Sequence, residues 1–186
     1  MSLTNQQRLW FYRVLTLIVT VVVVHVAAVW VAPRIIMQVL MHGSIAQSMN
    51  MQNQAAFPPS VTAQSRQVVM PSPDLLYSVC VFDVKDGPVR ITAHPQLASY
   101  WSIALYAANS DNFFVVNDRN AASKPVDLWL VSEGANAQGK PIPEGSTVVV
   151  APTTEGFLLM RVLTADYAAE KNTVEPARRT LQCTKA

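Results

Sequence analysis

Apolar and polar positions follow three successive patterns along the chain. From Val14 to Ala32 (VLTLIVTVVVVHVAAVWVA) there is no formally charged residue, and Arg13 and Arg34 bracket the run. A helix of this length covers a bilayer hydrocarbon core. From Pro33 the spacing of Ile36, Val39, Leu40 and Ile45 predicts a short amphipathic helix on, or rising from, a membrane, with Gly43 as a breaker. Gln52 to Gln67, with Pro58-Pro59 among Ser, Thr, Gln and Asn, reads as an extended linker holding the remainder off the bilayer.

Beyond Val68 the pattern becomes that of strands. Leu76 to Val84 alternates imperfectly and is rich in β-formers, Asp86-Gly87-Pro88 signals a turn, and Val89 to Ala93 resumes, which together read as a hairpin. Further strands are expected at 99–106, 113–117, 128–132, 147–151 and 157–164, with Gly134, Gly139, Pro141, Pro143 and Gly145 in one long loop. Short strands between turn residues, with no βαβ alternation, predict a β-sandwich or barrel-like domain. Val174, Ala177 and Leu181 have helical spacing, with Pro176 in a first turn, so a short helix is expected at 174–183. The fold class is therefore mainly β: one N-terminal transmembrane helix, a sandwich or barrel-like domain, and a short C-terminal helix.

Charge sets the orientation. Arg8 and Arg13 precede the span with no acid beside them; Trp10, Phe11, Tyr12 and Trp30 mark its two interfaces. Basic flanks stay in the cytoplasm, so the long C-terminal part is expected outside the inner membrane. A cleaved signal peptide shares these features, with Val26 and Ala28 fitting cleavage after Ala28. The apolar run exceeds the usual h-region of about 7–15 residues, which favours a retained anchor. His25, mid-span, reads as a neutral imidazole on a Val-rich helix or one bonded to a neighbouring helix, since no second ionisable residue accompanies it. The 186 residues carry a formal charge of +2 without a basic cluster, which argues against nucleic acid as a partner. Cys80 and Cys183 are the only cysteines. An oxidising compartment permits a bridge between them, and two separate buried thiols fit the spacing equally well.

Little in the sequence points to chemistry. Asp74, Asp83, Asp111 and Asp118 could act only if they converged; turn and hairpin capping explains each. Tyr77-Ser78 lacks a G-x-S-x-G elbow and a convincing base, because His42 falls in the stalk and His94 in a turn. Met37, Met41, His42, Met49 and Met51 suit soft metals by type, but their spacing fits apolar filling better. No nucleotide loop, zinc spacing or haem motif occurs. No catalytic residue, no metal and no cofactor are expected. Arg161 on an apolar strand suits an anion site or a buried ion pair, and Arg178-Arg179 a solvated helix face.

One stretch carries a resemblance. MPSPDLLYSVCVFDVKDGPVRITAHP, residues 70–95, presents Asp74, Tyr77-Ser78, Asp83 and Gly87-Pro88; SYWSIALYAANSDNFF follows at 99–114, then Pro152 and Arg161. This order resembles the domain of unknown function 1254 family (DUF1254). Ser72 stands where that family commonly has asparagine, Ser99 where it commonly has arginine, and an acid is usual near Ala107 or Ala108, where this chain has none. The resemblance implies a second domain, of the DUF1214 family, that follows in longer relatives and is a separate chain in bacteria with short anchored forms. The expected layout is then a cytoplasmic N-terminus and transmembrane helix over 1–33, an amphipathic stalk and linker over 34–67, and a periplasmic DUF1254-like domain over 68–186.

Three functional expectations follow. The first is a single-pass inner-membrane protein whose periplasmic domain is a non-catalytic interaction module, its partners being the lipid bilayer and a second membrane-anchored chain. The second is half of a split periplasmic enzyme or small-molecule binder, with Asp74, Tyr77 and Arg161 at the junction between chains. The third is an accessory subunit of a larger membrane complex, using His25 and the Val-rich face.

Overall fold

A computed structural model describes residues 4–62, 64–66, 71–133 and 142–186. Gly134, Gly139 and Pro141 of the expected loop, and Val68 at the expected domain start, lie outside the described residues. The chain forms two units, Met1–Ile36 and Met37–Ala186.

The first unit is helical. Helix α1 spans Asn5–His42 and is long and apolar enough to cross a membrane. Its start is a reciprocal cap: the Thr4 amide donates to Gln7 Oε1 at 2.9 Å, and the Gln7 amide to Thr4 Oγ1 at 3.4 Å. Pro33 lies inside the helix and does not end it. Proline removes one main-chain hydrogen bond, and a long helix absorbs that loss. One residue later, Arg34 folds back on Trp30, with its guanidinium 3.9 Å from the ring centroid and a hydrogen bond to the Trp30 carbonyl oxygen.

The second unit begins with the end of α1. Here the expected apolar stripe is corrected. Met37 and Met41 are buried, whereas Val39 is 66% exposed and Ile45 is also open to solvent. The inward face is thus the methionine face. Gly43 breaks the helix as expected; a Cβ there would lie 2.3 Å from the Val39 carbonyl oxygen. A short helix α2, Ser44–Ser48, follows.

The linker reading also changes for residues 51–56. The Asn53 and Ala56 amides donate to the Val81 and Val79 carbonyls at 2.7 and 2.8 Å, and the Val79 and Val81 amides donate back to Ala56 and Met51. The segment therefore lies along the edge of strand β1, with Met51 and Ala56 buried. Apolar residues at 51, 55, 56 and 57 outweigh the proline signal that made this stretch read as a spacer.

Among the described residues eight strands follow: β1 Leu75–Asp83, β2 Val89–Ala93, β3 Trp101–Ala107, β4 Asn112–Asn117, β5 Val126–Ser132, β6 Thr147–Ala151, β7 Glu155–Leu163 and β8 Gln182–Lys185. They make two four-stranded sheets, β1-β7-β3-β4 and β6-β5-β2-β8. All neighbours run antiparallel except β5 and β6, which are parallel. The inner faces share one core that includes Leu76, Phe82, Ile91, Ile103, Leu130 and Leu158. The fold is mainly β, as the strand pattern indicated.

Two expectations about connectivity are corrected. β1 and β2 are not a hairpin: β1 pairs with β7 along its whole length, and β2 lies between β5 and β8. Residues 84–88 carry the chain from one sheet to the other. The C-terminal helix, α4, is Tyr167–Arg178, and β8 replaces its expected last turn. Asp166 is the cap, accepting from the Ala168 and Ala169 amides at 2.9 and 3.2 Å, so Pro176 falls near the end of the helix rather than at its start. A one-turn helix α3, Asp118–Ala121, had no sequence expectation.

Cys80 on β1 and Cys183 on β8 are joined in a disulfide between the two sheets, at a sequence separation of 103.

Candidate functional site

Strand alternation sorts the candidate residues by face. On β1, Leu76, Ser78, Cys80 and Phe82 point into the core, and Leu75, Tyr77, Val79 and Val81 point to the outer face of the first sheet. The register sets these outer residues in rows across the strands. One row is Val81–Phe157–Tyr106 and the next is Val79–Leu159–Ala104–Val115. Below them run Tyr77–Arg161–Ser102–Asn117 and then Leu75–Leu163, with the Leu163 amide donating to the Tyr100 carbonyl at 2.9 Å. Met37 and Met41 at the end of α1, with Ala46 of α2, cover the β1 and β7 side of the upper rows by packing with Val79, Val81 and Phe157, whereas Val115 on β4 stays exposed. The His42 ring nitrogen Nε2 meets Glu155 Oε2 at 3.0 Å beside this contact.

Tyr77 and Arg161 are therefore direct neighbours in the first uncovered row. Arg161 is half-buried and donates through Nη2 to the Tyr106 hydroxyl at 2.9 Å. The Tyr77 hydroxyl accepts from the Ser72 amide at 2.9 Å. Among the described residues neither tyrosine hydroxyl donates a hydrogen bond. The third candidate stands apart: Asp74 is exposed, precedes β1, and its main-chain oxygen accepts from Thr164. No hydrogen bond or ion pair of its carboxylate appears among the described residues.

The other acids are occupied locally. Asp83 accepts from the Lys85 amide at 2.8 Å, and Asp111 from the Asn109 side chain at 2.6 Å. Asp118 holds one buried carboxylate oxygen without a hydrogen-bond partner. No group of three or more metal-ligating side chains converges among the described residues. The Tyr77-Ser78 pair is split by the sheet: Tyr77 faces outward, while Ser78 is fully buried with its hydroxyl unpartnered and no histidine beside it.

Arg178 departs most from its sequence reading. It is 2% exposed rather than solvated. Its guanidinium grips both Glu175 oxygens at 3.0 and 2.7 Å and donates to the Pro58 and Tyr77 carbonyls at 2.8 and 2.7 Å. Tyr167 donates to Glu175 Oε1 at 3.0 Å, and Arg179 to Oε2 at 3.2 Å. Arg178 and Arg179 both approach the Phe57 ring, at 6.0 and 5.0 Å. Burial alone would push the Glu175 carboxyl up; hydrogen bonds from Arg178 and Tyr167, with the two guanidinium charges, outweigh it and hold it below the ordinary value. The same hydrogen bond pushes the Tyr167 hydroxyl up. The knot was legible only from the correct helix start: Tyr167, Glu175 and Arg178 lie on one helical face once Asp166 is the cap. On the second sheet, Arg90 and Asp127 form a bidentate pair at 2.8 and 2.9 Å, with Ser146 donating to Asp127. The Arg90 hydrogen bond lowers the Asp127 carboxyl against partial burial.

Comparison with known proteins places this geometry. The VPA0106 protein from Vibrio parahaemolyticus has a similar structure, with a TM-score of 0.65 and 12% identity over 86% of this chain and 36% of that one. A structure of an uncharacterized protein from Burkholderia cenocepacia matches with a TM-score of 0.47 and 16% identity over 65% of this chain and 34% of that one. The chain thus spans about a third of the length of these two solved structures. No curated protein matches. A family model described as protein of unknown function (DUF1254) matches residues 49–185, from the β1 edge segment through β8. By that match, which takes in both sheets and the Tyr77–Arg161 row, the chain belongs to the DUF1254 family.

Proposed function

We propose that the chain is a single-pass inner-membrane protein whose domain lies on the periplasmic side, docks a second membrane-anchored chain and performs no chemistry of its own. One observation carries this reading: residues 33–36 alone separate the apolar run from Met37, the first buried residue of the domain. A domain tethered to a span by so few residues stays with the membrane, where an anchored partner meets it. Arg8 and Arg13 before the span support a cytoplasmic N-terminus. The Cys80–Cys183 bridge supports an oxidising compartment for the domain. The family resemblance points to a DUF1214-type chain as the partner. In the Vibrio parahaemolyticus protein the same fold is 36% of a longer chain, which supports a fold that works beside further structure.

A second reading has one observation in its favour. Tyr77, Arg161 and Tyr106 present hydrogen-bond donors together on an open face, as half of a site shared between chains would. Asp74 adds nothing to that cluster.

Two measurements test the first reading. An alkaline phosphatase reporter fused after Ala186 is expected to be active; activity only from a cytosolic reporter overturns the orientation. Mild-detergent purification from native membranes, read by native mass spectrometry, is expected to give a complex with a different anchored protein. A lone monomer overturns the partner.

A further inference from the structure

We propose that the uncovered part of the first sheet's outer face is the docking surface for a second, different protein chain, which presents a carboxylate to Arg161. The proposal rests on the reading of the domain as an interaction module and names where the contact is made.

Within the second unit, Arg161 is the only half-buried or buried arginine among the described residues without a carboxylate; Arg34, half-buried in the first unit, lies against Trp30 instead. Arg90 has Asp127, and Arg178 has Glu175. Arg161 has one neutral contact, the Tyr106 hydroxyl. A guanidinium partly withdrawn from water favours an anion that takes two of its parallel N–H groups. The surrounding groups supply the same polarity. Tyr106 and Tyr77 each accept one bond and, among the described residues, donate none, so the cluster offers donors to an acceptor.

The surroundings favour a protein as the source of that acceptor. Tyr100, Val115 and Leu163 are exposed apolar side chains on the same face. Tyrosine and arginine within apolar surface are the residue types that anchor protein interfaces. Small ligands take concave sites, whereas this is the open face of a sheet. Its upper rows already hold packed chain, the end of α1, and the uncovered rows continue that surface. A second copy of this chain fits poorly. In a two-fold contact the same patch meets itself, and these rows contain no acidic residue to set against Arg161.

The test is photo-crosslinking in cells that produce the full chain in its own membrane. A benzoylphenylalanine replaces Val115 or Leu163, with Val148, exposed on the other sheet, as the control position. The expected result is an adduct at Val115 and Leu163 with a different protein, whose crosslinked peptide carries Asp, Glu or a C-terminus. Its yield falls roughly tenfold in Arg161→Gln, is partly kept in Arg161→Lys, and the Val148 pattern does not change. Arg161→Lys separates lost recognition from misfolding, because it keeps the charge and the side-chain length. A lipid adduct, an adduct to a second copy, a partner peptide without a carboxylate, or an unchanged yield in Arg161→Gln overturns the proposal. A foreign protein captured at Val148 but not at Val115 or Leu163 overturns this docking face and leaves the interaction reading standing. Capture at none of the three positions, with a monomer on purification, ends both.

Discussion

Arg178 joins three parts of the domain that are far apart in sequence: helix α4 through Glu175, strand β1 through the Tyr77 carbonyl, and the edge segment through the Pro58 carbonyl. A buried cation of this kind depends on its carboxylate. Breaking one side of such a pair costs about 3–5 kcal/mol, because the remaining charge stays buried. Glu175→Gln is therefore expected to lower the urea midpoint at neutral pH by a cost approaching that range. The pH dependence follows from the lowered carboxyl. A group with a lower pKa in the fold than in the unfolded chain adds stability that is fully present above the unfolded value, and that is lost as pH falls through the folded one. Stability is expected to decline below pH 4.5, the ordinary value for the glutamate, and Glu175→Gln to flatten that decline. An acid limb of equal steepness in both proteins would remove the knot from the account of acid stability. Gly156 shows the same tightness elsewhere: a Cβ would fall 2.3 Å from both the Phe82 ring and the Tyr106 carbonyl oxygen.

The end of α1 belongs to the domain by packing, although it continues the apolar helix by sequence. Met41 is 2% exposed and packs with Met37 against the first sheet, whereas Val39, two residues away, is open to solvent. Met41→Ala is expected to cost about 2–5 kcal/mol, and Val39→Ala close to nothing, measured by thermal unfolding of the full chain in detergent. Equal tolerance of both would detach the helix end from the core. This helix also shows what a sequence conveys. The strands were legible because alternation and β-branched residues act locally, and each expected strand meets an observed one. Their partners were not legible: β1 answers to β7, eighty residues on, and a turn signal at Gly87-Pro88 says nothing about which sheet the chain enters next. The stripe on α1 was misassigned because Ile36, Val39 and Leu40 are as apolar as Met37 and Met41, and only the sheet decides which face turns inward. The candidate cluster was half legible. Tyr77 and Arg161 could be named from their types, but Tyr106 enters through a register that no local pattern encodes.

At the scale of the whole molecule, the Cys80–Cys183 bridge fastens one sheet to the other across the core. Closing a loop whose ends are separated by 103 positions in sequence removes much freedom from the unfolded chain. Reduction, or Cys183→Ser, is expected to destabilise the domain by about 2–5 kcal/mol, read as a lower thermal midpoint of the full chain in detergent with and without reductant. No shift on reduction would mean that packing alone holds the sheets. The strand order carries a last consequence, for biogenesis. Leu75 finds its register against Leu163, and Val89 against Lys185. The first sheet is incomplete until Leu163 has been made and the second until Lys185 has, and pairing between such distant segments is slow. The emerging domain therefore holds apolar strands without their neighbours until Leu163 and Lys185 have followed.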